Sequence, residues 1–365
     1  MKIGILTFHR AENFGAALQV YALQSYLKSN GFQVYVMDYR CKHIELEYHI
    51  FNPKIMFTRR NVFVTFMKYI KRFLTLKDRL QKKNRYRLFR NFFLNLTKEI
   101  KGYDDILDFD TYIVGSDQVW SLSITKGIDD FYFLNFPIKK GAKKIAYAAS
   151  SEIYSYALFY QHRKVISKLL ESFNNISVRE ETLKTELERY VSTEISVCID
   201  PTFLLSRSQY CKIAKYPKEK KYVLVYHMLE NQDAVKLAES IAKERGLSII
   251  EIHAEFHINK DRNRHKYNLG PLEILGYIIN ADSVITTSFH GIALSIIMHK
   301  EFWTVATNGN LRQCNLLRKF ELLDRLVCGS IDINTSIDFE RVDKLIYCFQ
   351  NEASQYIYKS LEVVK

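Results

Sequence analysis

The strongest constraint on the fold lies in the first forty residues, MKIGILTFHRAENFGAALQVYALQSYLKSNGFQVYVMDYR. Residues 2–8 form a nearly unbroken apolar run, as in a strand buried on both faces. Residues 9–14 are a polar loop. Residues 15–29 place Ala16, Leu18, Val20, Leu23, Tyr26 and Leu27 at helical spacing, and Asn30-Gly31 is a helix stop. Residues 32–38 are a second apolar run. A buried strand, a helix and another buried strand open a doubly wound α/β sheet.

The alternation returns along the chain. Strands are expected over 111–114, 144–148, 176–178 and 196–199, with helices over 157–173 and 180–190. The stretch CIDPTFLLSRSQYCKIAKYPKEKKY then interrupts the pattern. A second series follows: strands 222–227, 248–253, 283–287 and 302–305, helices 233–245, 271–280 and 291–299, and closing helices near 312–323 and 337–362. Two Rossmann-like domains facing a cleft are expected, 1–205 and 206–365, with the last helix packing back on the first. Such folds bind ligands beyond the carboxyl ends of their strands.

Composition narrows the class. Of 365 residues, 47% are hydrophobic and 25% charged, and only 5 Pro and 13 Gly are present, which fits a globular protein without long linkers. No apolar run reaches spanning length, and the N-terminus reads as a strand rather than a signal peptide. Six scattered cysteines without a C-x-x-C pair favour reduced thiols and a cytoplasmic location. His253, His257 and His265 match no metal-binding spacing, and no P-loop, G-x-S-x-G or G-x-G-x-x-G is present, so no metal or dinucleotide cofactor is expected.

The chemistry-bearing residues fall at strand ends. In SVITTSFHGIALSII, a strand runs through Thr286, Thr287 and Ser288 into His290, and Gly291 is expected to open a helix. The unpaired N–H groups of a helix start favour an anion, the hydroxyls of Thr287 and Ser288 add donors, and His290 beside them suits a general acid. The alternative is a capping histidine turned into packing. In TYIVGSDQVW, Asp117 and Gln118 can hold hydroxyls and Trp120 can stack on a sugar, or the segment is a turn with a core tryptophan. Asn13 and Gly15 stand at another helix start. Arg179 and Arg312 are candidate guanidinium ligands for an anion, although Arg179 otherwise pairs with an adjacent acid and Arg312 lies exposed.

These blocks, with KIAYAAS, ISVREE, CIDPTFLL and NLRQCNLL, resemble in order the polysaccharide pyruvyl transferase family over residues 3 to about 328. The resemblance implies a GT-B type fold. It also implies transfer of the enolpyruvyl group of phosphoenolpyruvate to a saccharide, commonly lipid-linked, as a ketal, in surface polysaccharide biosynthesis and without a cofactor. His290 corresponds to the catalytic histidine, with Arg179 and Arg312 as donor ligands. One departure is Ser288, where many members carry arginine. A GT-B glycosyltransferase using a nucleotide sugar and a non-catalytic membrane-associated assembly protein are the alternatives.

Charge is concentrated in one segment. Residues 54–101 hold 15 Lys and Arg against Asp78 and Glu99, which accounts for the whole net charge of +13. Two helices, roughly 55–76 and 78–97, are expected there as an insertion at about 53–100. Basic residues interleaved with Phe, Tyr, Met and Leu suit peripheral contact with an anionic inner-leaflet surface. The alternative is a helical pair packed on the first domain. No nucleic-acid motif accompanies the patch.

Overall fold

The computed structural model describes residues 1–50, 62–258, 261–305, 311–327 and 333–362. The expected helix start near residue 55 lies outside these residues. Strands β1 (Lys2–Leu6), β2 (Gln33–Tyr39), β3 (Leu96–Ile100), β4 (Thr111–Val114), β5 (Lys143–Ala149), β6 (Asn175–Val178) and β7 (Ile195–Val197) form a parallel sheet in the order β3-β2-β1-β4-β5-β6-β7. Strands β8 (Tyr222–His227), β9 (Ser248–His253), β10 (His265–Lys266), β11 (Ser283–Thr286), β12 (Glu301–Val305) and β13 (Leu326–Val327) form a second, in the order β10-β9-β8-β11-β12-β13. Both sheets reverse their strand order once, at β1/β4 and at β8/β11. The two Rossmann-like units of a GT-B fold are thus present, each with a topological switch point.

The helices of the first unit are α1 (Phe14–Ser29), α2 (Lys42–Glu47), α3 (Val62–Leu74), α4 (Leu76–Phe93), α5 (Leu122–Thr125), α6 (Tyr154–Gln161), α7 (Arg163–Glu171) and α8 (Glu181–Leu187). After them come α9 (Arg207–Ile213), α10 (Gln232–Arg245), α11 (Pro271–Asn280), α12 (Phe289–Ile297), α13 (Leu311–Lys319) and α14 (Phe339–Leu361). The helix α14 lies against the first sheet. There the Tyr356 hydroxyl donates to Ala146 O at 2.8 Å and Gln350 Nε2 donates to Phe203 O at 2.6 Å. Among the described residues, no helix is long and apolar enough to cross a membrane. The described cysteines, Cys41, Cys198, Cys211, Cys314 and Cys348, are free.

Two expectations change. The basic helices are the crossover from β2 to β3, and the second ends at Phe93 rather than 97. The Gln24 amide stops it: Nε2 donates to Phe93 O (2.9 Å), Oε1 accepts from Asn95 N (2.6 Å), and the Asn95 side chain donates to Val34 O (2.8 Å). The chain is thereby turned into β3. In addition, α4 spans both units. Tyr86 and Phe89 are buried in the core. On its other side Arg85 donates to Asn268 O (2.8 Å), Lys82 donates to Ala254 O (3.3 Å), and Asp78 pairs with Arg262 (2.8 Å). These contacts help fix the width of the cleft.

Candidate functional site

The two switch points meet. Segments following β1, β4, β8 and β11 enclose a cleft of about 330 Å³, with Asn13, Asp117, Gln118, Met228, Thr287, Ser288, His290 and Arg312 on its walls. Nine of the ten residues singled out in the sequence therefore have a structural address here: Asn13, Asp117, Gln118, Thr287, Ser288, His290 and Arg312 line the cleft, Gly15 packs against His290, and Gly291 bonds to Ser288.

His290 sits in the first turn of α12, which begins at Phe289, two residues earlier than expected. Its ring is largely buried but borders the cleft. Gly15, in the first turn of α1, lies against it: a Cβ there would overlap the ring at Nδ1 and Cγ. The glycine is needed for two helix starts from different units to approach this closely. On the other side Nε2 is buried without a hydrogen bond, 3.6 Å from Asp200 Oδ2. That is an ion-pair distance rather than a hydrogen bond.

Asp200, just beyond β7, is a residue of this site that the sequence pattern does not single out. Its Oδ1 accepts from Thr202 N (2.9 Å) and Thr202 Oγ1 (2.8 Å), and its Oδ2 accepts from Arg179 Nη1 (2.9 Å). Burial alone would raise its pKa. The neighbouring His290 and Arg179 outweigh that cost and hold the carboxyl well below the usual range. The signal available in the sequence was an Asp-Pro at a strand end, facing the same crevice as ISVRE.

Arg179 is not placed as an anion ligand. Its Nε pairs with Glu180 (2.8 Å), Nη1 with Asp200, and Nη2 donates to Ser150 Oγ (3.0 Å). The guanidinium also lies 4.1 Å from the Phe289 ring centroid. All three nitrogens are thus engaged, because two acids at adjacent strand ends converge on it. Its role here is to hold Asp200. Arg312 differs: it is half-buried on the cleft wall, and among the described residues it has no hydrogen bond or ion pair. Burial, and then repulsion from Arg179, lower its pKa. An incoming anion would relieve both.

The hydroxyls divide similarly. Ser288 caps α12, its Oγ accepting from Gly291 N at 3.3 Å, and Thr286 Oγ1 accepts from Ser288 N at 3.0 Å. Gly291 is therefore inside the helix, with its N–H already used, and its missing Cβ makes room for Thr286. Thr287 Oγ1 is buried at the cleft with no partner, which leaves it for a ligand. Asn13 Oδ1 caps α1 by accepting from Gly15 N (2.9 Å) and Ala16 N (3.3 Å), while its amide nitrogen lies 4.0 Å from Met228 Sδ, across the cleft. Asp117 has φ +73° and turns the chain after β4, and Gln118 Nε2 reaches Glu152 at 3.3 Å. Trp120 is a core residue: it is buried, stacks on Phe133, and donates from Nε1 to Tyr132 O at 2.9 Å. It cannot meet a sugar.

A larger cavity of about 630 Å³ shares Asn13, Tyr48 and Met228 with this cleft. Its wall from α3 and α4 carries Lys68, Lys71, Arg72, Arg79, Lys82 and Lys83, against Glu12, Glu47 and Glu255. Burial lowers Lys82 to about 8, in spite of Glu12. So dense a positive wall is suited to an anion with more than one charge.

The model of the polysaccharide pyruvyl transferase family matches residues 13–309. No curated protein matches the sequence. Among solved structures, UDP-GlcNAc 2-epimerase from Neisseria meningitidis bound to UDP-GlcNAc is similar at 11% identity and TM-score 0.47, covering 99% of each chain. The UDP-GlcNAc 2-epimerase of Methanocaldococcus jannaschii is similar at 12% identity and TM-score 0.43, over 96% of this chain and 93% of that one. Arabidopsis thaliana UGT89C1 complexed with UDP-L-rhamnose is similar at 9% identity and TM-score 0.42, over 99% and 94%. With the family's region running from the cap of α1 across both units and past His290, the chain belongs to the polysaccharide pyruvyl transferase family.

Proposed function

We propose that this transferase moves the enolpyruvyl group of phosphoenolpyruvate onto two hydroxyls of a saccharide as a ketal. The observation that carries this reading is the cleft in which His290, backed by Asp200, stands with Arg312, which has no partner among the described residues, and a Thr287 hydroxyl that likewise has none there. A small dianion carrying a carboxylate and a phosphate needs such donors. His290 donates a proton to the methylene carbon, which becomes a methyl group and leaves a cationic C2. A saccharide hydroxyl adds to C2 and returns its proton to the imidazole. Phosphate then departs with the C2–O electron pair, a second hydroxyl closes on C2, and its proton leaves with the phosphate. Asp200 stabilises the imidazolium whenever His290 carries two protons.

The basic cavity beside the cleft supports an acceptor with its own phosphates, as a lipid-linked saccharide has. The outer side of the same helices exposes Phe73, Leu74, Leu80 and Phe92, which supports peripheral membrane contact from the cytoplasmic side. Isothermal titration with phosphoenolpyruvate and with nucleotide sugars tests the donor. Binding of phosphoenolpyruvate that weakens at least about tenfold in Arg312→Ala is expected, the scale of a lost charge-assisted contact. Preferential binding of a nucleotide sugar would instead favour the glycosyltransferase reading.

A further inference from the structure

We propose that His227, Glu251, His253 and His265 form a binding site for a divalent transition-metal ion of the zinc class, separate from the His290 cleft. Strand register brings the four together. Side chains two apart in a strand share a face, so Glu251 and His253 point the same way from β9. In β8, His227 is the register partner of His253, and in β10 His265 is the partner of Glu251. Four potential ligands therefore stand on one face of three neighbouring strands. Sequence spacing could not show this, because the residues come from three strands in parallel register rather than from one helix or knuckle.

His227, Glu251 and His253 offer ligand atoms that lie within 4.8 Å of one another, and His265 stands beside them. His227 Nε2 is 2.9 Å from Glu251 Oε2, and His253 Nε2 is 2.9 Å from His265 Nδ1. His253 Nε2 is 3.9 Å from Glu251 Oε2, and His265 Nδ1 is 3.7 Å from Glu251 Oε1. Ligand atoms of tetrahedral zinc, with bonds of about 2.0–2.1 Å, stand about 3.3 Å apart. The observed separations straddle that value, so small rotations suffice. His227, Glu251 and His253 are buried, and three imidazoles with one carboxylate match the preference of zinc for nitrogen and oxygen donors.

The surroundings are those of a metal site. His253 Nδ1 is 2.6 Å from Glu230 Oε1, an arrangement that puts the proton on Nδ1 and the lone pair of Nε2 toward the other ligands. Arg264 Nε donates to Glu251 Oε1 at 2.7 Å and orients the carboxylate. A metal would tie the two-residue strand β10 to the sheet and brace the cavity wall to which His253 contributes.

Cobalt titration of the chelator-treated full chain tests this. One equivalent of Co²⁺ should produce the intense visible bands of a four-coordinate ion, and Zn²⁺ should abolish them and raise the melting temperature. The bands should vanish in His265→Ala and in His227→Ala and persist in His162→Ala, an exposed histidine far from the cluster. Glu230→Gln should weaken binding by about 10–100-fold. A melting curve of each metal-free variant that overlays the metal-free parent shows that the fold persists. No bands at micromolar Co²⁺ in the parent protein, or bands unchanged in folded His265→Ala, would overturn the proposal and leave a hydrogen-bonded histidine network.

Discussion

At the residue scale, the account turns on contacts around one imidazole. His290→Ala should lower pyruvyl transfer by about 10²–10⁴-fold, the range for a positioned acid, while cooperative unfolding persists. Gly15→Ala should also fail, although Gly15 performs no chemistry. Its new methyl would occupy the space of the ring, and displacement of about 1 Å costs on the order of 10²-fold in kcat. Steady-state rates with donor and acceptor saturating would check both. Asp200→Asn keeps shape but leaves the buried Arg179 with one carboxylate instead of two. It should lower kcat and also reduce stability in denaturant unfolding, with Glu180 still pairing Arg179. The position of His290 beside the cleft is legible in the sequence because a hydroxyl-rich strand end precedes an apolar helix. Asp200 is not, because its meaning comes from Arg179 and His290, which lie 21 and 90 residues away. For Arg179 the second of the two expectations holds, since it pairs with the adjacent Glu180, and Asp200 takes up a further nitrogen from 21 residues away.

At the scale of elements, local periodicity was enough for the strand–helix alternation, and the expected bounds of β8 and β9 match those observed. It failed where a distant side chain intervened, as Gln24 does at the end of α4. The two-residue strands β10 and β13 carry no pattern that a sequence could display. The basic helices show both sides of this. Their charge was evident, but the direction it faces depends on how α4 docks to the second unit. Lys71→Ala combined with Arg79→Ala should raise the acceptor KM at least about tenfold and leave the donor KM unchanged, since both line the larger cavity alone. Sedimentation with anionic and neutral liposomes examines the outer face. Binding to anionic vesicles that falls in Phe73→Ser with Phe92→Ser is expected, and equal negligible binding to both lipids would remove the membrane contact.

At the scale of the whole molecule, two parallel sheets of like strand order place their switch points opposite each other, and buried charges hold the ends of the strands. Asp38 is kept ionised by His9 and Arg10 against the penalty of burial, much as Asp200 is by His290 and Arg179. Each has a folded pKa below its unfolded one. Their stabilisation is therefore complete above the ordinary carboxylate value of about 3.9, and is lost as pH falls further toward the folded value. Urea unfolding should show stability decreasing as pH falls from 5 to about 2.5, and a flat profile there would contradict the assignment. The most direct test of the catalytic account is mass spectrometry of a polysaccharide precursor incubated with the protein and phosphoenolpyruvate. The account predicts a product carrying one pyruvyl ketal, with phosphate released in equal amount, and neither from His290→Ala. An equally modified product from His290→Ala, or none from the parent protein with any surface-polysaccharide precursor, would contradict it.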